Sequence, residues 1–243
     1  CTTNPTYVMK IHKQPEERAM IDRDLAEAVS RHTDDEAAAA AVQRAAVKRV
    51  AEVFLPVFEK SNRKEGWVSI QISPHMEDDA DNIIRDAHEN LTLAPNIIAK
   101  IPTTVAGLAA MKVLMAENVP IIATEIMGLA QAVAVCEMYR EIAAKIKIDA
   151  PLYVTHISGI FDDYLKAAAE KSGAKVSPDL LFQAGCSLAR RQYRIMKDRK
   201  YPGILLGGGA RGLHHFTEMV GGDAHVTINW KGSAETLIKE NPP

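Results

Sequence analysis

The sequence predicts an α/β fold, a single parallel (β/α)8 (TIM) barrel, on three observations. Short runs rich in Ile, Leu and Val alternate with helical segments along the chain. Strands of this continuous apolar type are buried on both faces, as in a parallel sheet covered by helices. The chain has 243 residues, a length at which α/β barrels form one domain, and no linker or internal repeat divides it. We therefore expect one domain over residues 1–243.

The predicted elements follow one another in order. An opening strand covers CTTNPTYV and continues as TYVMKI at 6–11, and Pro15 begins a long charged helical region that ends near Lys60. Further strands are predicted at 67–73, 96–104, 119–128, 151–159, 203–209 and 224–230. Helices are predicted between them at 78–91, 105–118, 129–147, 161–171, 178–200 and 211–220.

This pattern contains seven strands, whereas a (β/α)8 barrel needs eight. A first strand upstream of Cys1 would complete the barrel, so we expect that strand to be missing from the given chain. An open doubly wound sheet is the alternative, but the first turn lacks the GxGxxG pattern of dinucleotide-binding sheets.

Composition narrows the class of partner. Lys and Arg total 29 against 31 acidic residues, a net charge of −2, which gives no overall attraction to nucleic acid or anionic lipid. The three cysteines are widely spaced and form no CxxC pair, which favours a reducing compartment and no structural zinc. No apolar run reaches the length of a membrane span, and no export signal opens the chain. We expect a cytoplasmic protein that binds a small molecule and neither nucleic acid nor a membrane.

Lys100 is the polar exception in the apolar strand NIIAKIP. Strand alternation places it on one face with Ile98 and Pro102. Burial there would disfavour the charged form and lower the pKa of the amine, as a Schiff-base nucleophile requires. The alternative is a lysine at a strand end that reaches solvent.

The stretch AKIPTTVAGLAAMKVLMAENVPIIATEIMGLAQA resembles the transaldolase family, including its fructose-6-phosphate aldolase branch. In that family a strand of the form VKIPxTxxGLxAxxxLxxEGI carries the Schiff-base lysine, and the next strand ends in a threonine before an AQA-type helix start. The opening TTNP at 2–5 matches the family's second barrel strand. The resemblance is in register over residues 1–8 and 66–135, and looser to about 230.

The resemblance implies a role for each matching residue. Lys100 would form the imine with a substrate ketone, without a metal or other cofactor. Thr124 would hold the catalytic water, Gln71 would help to position it, and Asn4 would bind a substrate hydroxyl. These residues all fall at carboxyl ends of predicted strands, where barrel active sites assemble.

The implied function is transfer of a dihydroxyacetone unit from a ketose to an aldose, by a class I (Schiff-base) transaldolase. Two alternatives stay open at this point: a fructose-6-phosphate aldolase-type lyase that releases dihydroxyacetone, and a sugar-binding barrel without turnover. The substrate is a sugar or a sugar phosphate, and a homo-oligomer is compatible with the sequence.

The sequence also departs from the family pattern. Ile160 replaces the arginine that binds substrate phosphate, and Ile157 replaces an aromatic residue. Gly209 stands where the family has a serine, although Arg211 is retained. The family's first-strand aspartate would lie upstream of Cys1.

LLGGGARG predicts a compensating anion site, since Gly207–Gly209 allow backbone N–H groups to approach a ligand beside Arg211; the alternative is a tight strand-to-helix turn. Among the histidines, we expect His156 to be buried for structural reasons. His214 and His215 are adjacent rather than at a helical metal-pair spacing.

Overall fold

The computed structural model describes residues 1–241. Two compact units divide the chain, Cys1–Ile121 and the part from Ile122 onward. In both units, parallel strands alternate with helices. The predicted α/β class is therefore confirmed, and parallel strands joined in chain order by helices are what a (β/α)8 barrel requires.

The first unit is built on two strands, β1 (Val68–Gln71) and β2 (Ile97–Pro102), which pair in parallel from Val68 opposite Ile97 to Gln71 opposite Lys100. Its core forms where the helical residues Val47 and Ala51 pack with Val68, Ile70 and Ile97. The helices of this unit are α1 (Tyr7–His12), α2 (Pro15–Arg31), α3 (Asp35–Lys60), α4 (Ala80–Leu91) and α5 (Val105–Ala116).

The second unit contains most of β3 (Ile121–Ile126), then β4 (Leu152–Ile157), β5 (Ile204–Gly208) and the short β6 (Ala224–Val226). Strands β4, β5 and β6 pair in parallel in chain order. The helices are α6 (Leu129–Ala143), α7 (Ser158–Ser172), α8 (Pro178–Asp198), α9 (His214–Thr217) and α10 (Glu235–Glu240).

The predicted opening strand is wrong. Tyr7–His12 is a helix, and the described residues contain six strands rather than seven. A turn at Asn4 explains the difference, because Asn4 O accepts a hydrogen bond from Tyr7 N at 2.9 Å and the chain enters the helix directly. Of the predicted strand, only Cys1–Thr3 runs alongside β1, where Ser69 N donates a hydrogen bond to Cys1 O at 3.0 Å.

Several other boundaries differ from the prediction. The charged helical region over 15–60 is two helices, because Asp34 caps a new one: its side chain accepts from Ala37 N at 2.9 Å. The helix predicted at 211–220 shortens to His214–Thr217, and the last strand ends at Val226. No described helix is long and apolar enough to cross a membrane.

Candidate active site

Lys100 lies in the second half of β2 and is the only residue of that strand that is not fully buried. Its Nζ donates a hydrogen bond to Thr3 O at 2.9 Å. Gln71 is its register partner on β1. The amine is thus fixed at one point while part of the side chain stays accessible.

Thr3 is itself held firmly, which explains why its carbonyl can position the amine. Its backbone N–H donates to Ser69 Oγ at 3.0 Å, and its hydroxyl donates to Ser69 O at 2.6 Å. Both bonds are buried, where they are stronger than in water. Thr3, the second threonine of the TTNP motif, therefore anchors the opening segment to β1.

Asn4 is the next residue, and the oxygen of its side-chain amide is hydrogen-bonded. Its Oδ1 accepts from Thr6 N at 3.1 Å and from Thr6 Oγ1 at 2.8 Å. Its Nδ2 donates to no atom of residues 1–241. Asn4 can therefore offer two N–H donors to a substrate hydroxyl from a side chain whose orientation is already set.

Gln71 is buried at the carboxyl end of β1, and its backbone O accepts from Gln43 Nε2 at 3.0 Å. Register partners in a parallel pair project from the same face of the sheet about 4.8 Å apart. The first unit therefore brings together Lys100, Gln71 and the Thr3–Asn4 segment, three of the predicted positions with one addition.

The first unit also contains a cavity of about 820 Å³, and Lys100, Gln71, Thr3 and Asn4 are not among its lining residues. It is lined by residues of helices α1, α2 and α3 together with Pro5 and the segment Ser73–His75. Its volume lies in the range of small-molecule sites.

The turn from β2 into α5 gives the KIPTTVAGL motif a physical reason. Thr104 caps the helix: its Oγ1 accepts from Gly107 N at 3.0 Å and donates to Glu77 O at 3.1 Å. A Cβ on Gly107 would lie 1.9 Å from Pro102 O. The start of α5 and the end of β2 approach so closely that only glycine fits at this position. Lys100 lies two residues before Pro102 on the same strand.

Thr124 is buried in β3 of the second unit, at 2% exposure. The next residue, Glu125, has a left-handed backbone with φ of 60°. Gln131 stabilises the turn that follows, since its Oε1 accepts from Met127 N and Gly128 N at 3.1 Å and its Nε2 donates to Glu125 O at 3.3 Å. The glutamine of the AQA pattern therefore acts as a cap for the chain reversal after Thr124.

The glycine run at the end of β5 is closely packed rather than open. Gly208 lies opposite Ile157, and a Cβ on Gly209 would lie 2.7 Å from Ile157 Cγ2. Gly209 has φ of 65°, which suits glycine. A Cβ on Gly159 would lie 2.1 Å from Gly209 O. These contacts favour the tight-turn interpretation of LLGGGARG.

Arg211 is bound on three sides. Its backbone N–H donates to His215 Nδ1 at 3.0 Å, its Nε to Asp163 Oδ2 at 2.8 Å and its Nη1 to Gly209 O at 2.9 Å. The backbone N–H of Arg211 is thus used by a histidine ring, and its guanidinium by a carboxylate and a carbonyl.

His215 in turn pairs with Asp162, Nε2 to Oδ2 at 2.8 Å, and Asp162 Oδ1 accepts from Gly185 N at 2.7 Å. Cys186, His214 and His215 are residue types that bind metals, and their ligand atoms lie within 4.8 Å of one another. However, both ring nitrogens of His215 are hydrogen-bonded, and the His214 ring stacks on Phe182 at 3.8 Å. These groups fit a packed hydrogen-bond network better than a ligand set.

His156 on β4 is fully buried, as expected. Burial lowers its pKa to about 4, so it is neutral at neutral pH. Its environment is that of a core residue.

The predicted site residues fall into both units: Lys100, Gln71 and Asn4 in the first, and Thr124, Gly209 and Arg211 in the second. Sequence reasoning missed the roles of Thr3 and Gln131, although both lie inside motifs it had singled out. It did not foresee that Asp163 pairs with Arg211 or that His215, considered only as a metal ligand, pairs with Asp162; no local signal indicates either contact.

Comparison with known proteins gives one family. The family model described as Transaldolase/Fructose-6-phosphate aldolase matches residues 1–240. The chain is 30% identical over 209 residues to the transaldolase of Mycolicibacterium paratuberculosis, 27% to that of Mycobacterium tuberculosis and 29% to that of Mycobacterium marinum. Each alignment covers 81% of this chain and 54% of the relative, so the chain spans about half the length of these curated relatives.

Proposed function

The chain belongs to the transaldolase/fructose-6-phosphate aldolase family, and from this we propose that it transfers a dihydroxyacetone unit from a ketose to an aldose through a Schiff base at Lys100. The observation that carries the proposal is the placement of Lys100. It is the one partly accessible residue of an otherwise buried strand, held by Thr3 O and paired in register with Gln71.

The chemistry begins at the amine. Neutral Nζ attacks the ketone carbon, and loss of water from the carbinolamine leaves a protonated imine. A base removes the proton of the hydroxyl on the carbon that becomes the aldehyde, the bond between this carbon and the carbon next to the imine breaks, and its electron pair moves into the imine. An aldehyde leaves and an enamine stays on Lys100. The enamine carbon then attacks an acceptor aldehyde, and water releases the new ketose.

Two groups of the first unit suit these steps. The Thr3 carbonyl accepts one N–H of Lys100 and so directs the amine without supplying a charge. Asn4 offers N–H donors to a hydroxyl of the dihydroxyacetone unit. For proton transfer, the resemblance assigns a water held by Thr124 with help from Gln71; such a water can serve both as acid and as base.

A simple aldolase is the second candidate within this chemistry. It shares every step up to the enamine, after which a proton rather than an aldehyde is added. A binding protein that retains Lys100 is supported by the replacements at Ile157 and Ile160. We place the proposed enzyme in the cytoplasm, as one domain without a metal or other cofactor; a homo-oligomer stays a prediction.

Trapping the imine tests the proposal. The protein is incubated with dihydroxyacetone or fructose 6-phosphate, reduced with borohydride, digested and mapped by mass spectrometry. We expect the reduced adduct on Lys100, and none in Lys100→Arg. Lys112→Arg, an exposed lysine on α5, is the matched control and should keep the adduct. Absence of an adduct on Lys100 with every ketose tested would exclude the Schiff-base mechanism.

The acceptor separates the enzymatic alternatives. If an erythrose-type aldose accelerates ketose turnover, the protein is a transaldolase. If turnover and dihydroxyacetone release are independent of the aldose, it is an aldolase.

A further inference from the structure

The cavity of about 820 Å³ in the first unit has an apolar wall that is open to solvent. Its floor belongs to the core where α1, α2 and α3 meet, because Ile21 and Val42 line the cavity and are members of the same buried cluster. Two further lining side chains, Met9 and Leu25, are 51% and 47% exposed. Covering them would remove apolar surface from water, which is favourable. This wall therefore suits a ligand with an apolar body.

The charged part of the lining is acidic. Asp34, Asp35 and Glu36 follow one another at the start of α3. Among the residues that the structure describes, neither a lysine nor an arginine lines the cavity. His12, one of two histidines in the lining, is paired through Nε2 with Asp22 Oδ1 at 2.8 Å. An anion would meet carboxylates without a compensating lysine or arginine, whereas a cation is complementary to them.

The three carboxylates are not equally available to a ligand. Asp34 Oδ2 accepts from Ala37 N at 2.9 Å and so caps α3. Glu36 Oε1 accepts from Ser73 Oγ at 2.6 Å. The Asp35 carboxylate forms no hydrogen bond or ion pair within residues 1–241. Asp35 is therefore the acceptor that remains for a cation in the cavity.

We propose that this cavity binds a small organic amine, whose ammonium group pairs with Asp35 and whose apolar body covers Met9 and Leu25. An ammonium group has three N–H donors and no acceptor, which suits a carboxylate. The volume of the cavity is that of a small-molecule site. The inference does not depend on the proposed function, because neither Lys100 nor Gln71 lines the cavity.

Four probes separate the apolar body from the charge. Hexylamine carries both, butylamine has two methylene groups fewer, and hexanol and hexanoate replace the ammonium by a neutral and an anionic group. Binding is followed by NMR of the whole chain labelled with ¹³C at the methionine methyl groups. Met9 lines the cavity and reports on its occupation, whereas Met111, buried in α5, is the internal control. The Met9 signal is assigned with Met9→Leu.

In the wild type we expect hexylamine to shift the Met9 signal to saturation and to leave the Met111 signal in place. Each buried methylene group should lower the dissociation constant about fourfold, so butylamine should bind about fifteenfold more weakly than hexylamine. Hexanol should bind about two- to fivefold more weakly, the contribution of one exposed ion pair. Hexanoate should bind more weakly than hexanol.

Two variants of equal charge test the role of Asp35. Asp35→Asn should remove the preference for hexylamine over hexanol, and Glu52→Gln should keep it. Glu52 is exposed on the same helix, α3, and the seventeen residues between the two positions place it about 25 Å away.

The proposal is wrong if hexylamine does not shift the Met9 signal, if hexanol or hexanoate binds as tightly as hexylamine, or if Asp35→Asn keeps the wild-type preference. A Met9 signal that shifts with protein concentration alone would show that a second copy of the chain occupies the cavity, and it would also overturn the proposal.

Discussion

Replacing Gly107 by alanine tests the close approach of β2 and α5, on which the position of Lys100 depends. The new Cβ would lie 1.9 Å from Pro102 O and 3.2 Å from Thr104 Oγ1, and ordinary contact begins at 3.4 Å. The strand end or the helix start must therefore move by about 1.5 Å. Overpacking that moves backbone costs about 3 kcal/mol, while alanine gains about 1 kcal/mol over glycine in a helix.

The clash should outweigh the propensity, so we expect Gly107→Ala to lower the free energy of unfolding by about 2 kcal/mol. Urea denaturation followed by circular dichroism measures it. Gly128→Ala is the matched control, because its Cβ would meet only Gln131 Oε1, at 3.7 Å; it should cost less than about 1 kcal/mol. The rate of Lys100 trapping should fall in Gly107→Ala alone. A Gly107→Ala protein as stable as the wild type would show that the approach is not close.

Three further predictions concern the capping residues and the buried histidine. Gln131→Leu leaves two turn N–H groups unpaired and should cost about 2 kcal/mol in thermal or urea unfolding, with Gln131→Glu, which keeps the acceptor, costing less. Asp34→Ala should cost about 1 kcal/mol, and Asp34→Asn little. Burial lowers the pKa of His156 to about 4, so the unfolded chain binds a proton below about pH 6.5 that the native protein excludes. The free energy of unfolding should therefore decrease by up to about 3 kcal/mol as the pH is lowered from about 6.5 to about 4. The His156→Met variant should lack this part of the pH dependence.

Each of these can fail in a distinct way. A Gln131→Leu protein with wild-type stability would mean that water replaces the cap. Equal losses in Asp34→Ala and Asp34→Asn would point to charge rather than capping. An unchanged pH slope in His156→Met would mean that other groups carry it.

The sequence analysis succeeded where neighbouring residues decide the structure. The continuous apolar runs around Lys100 and Thr124 are strands, because alternating polar residues are not needed when both faces are covered. The Thr104–Gly107 spacing encodes a capped, tightly packed turn that local geometry makes recognisable. The prediction of an opening strand was wrong because local propensity did not decide there: Thr3 and Tyr7 have high strand propensity, yet the turn at Asn4 and the contacts of Thr3 to the distant Ser69 determine the structure.

By itself, the sequence determined the strand–helix alternation, the family and the residues that the proposed chemistry needs. Tertiary structure alone decided which groups surround them. Lys100 bonds to a carbonyl 97 positions away, Arg211 to an aspartate 48 away and His215 to one 53 away. Such pairs leave no local pattern, because chain packing rather than residue spacing brings their atoms within hydrogen-bond distance. The pairing of Arg211 with Asp163 is therefore visible only in the folded protein.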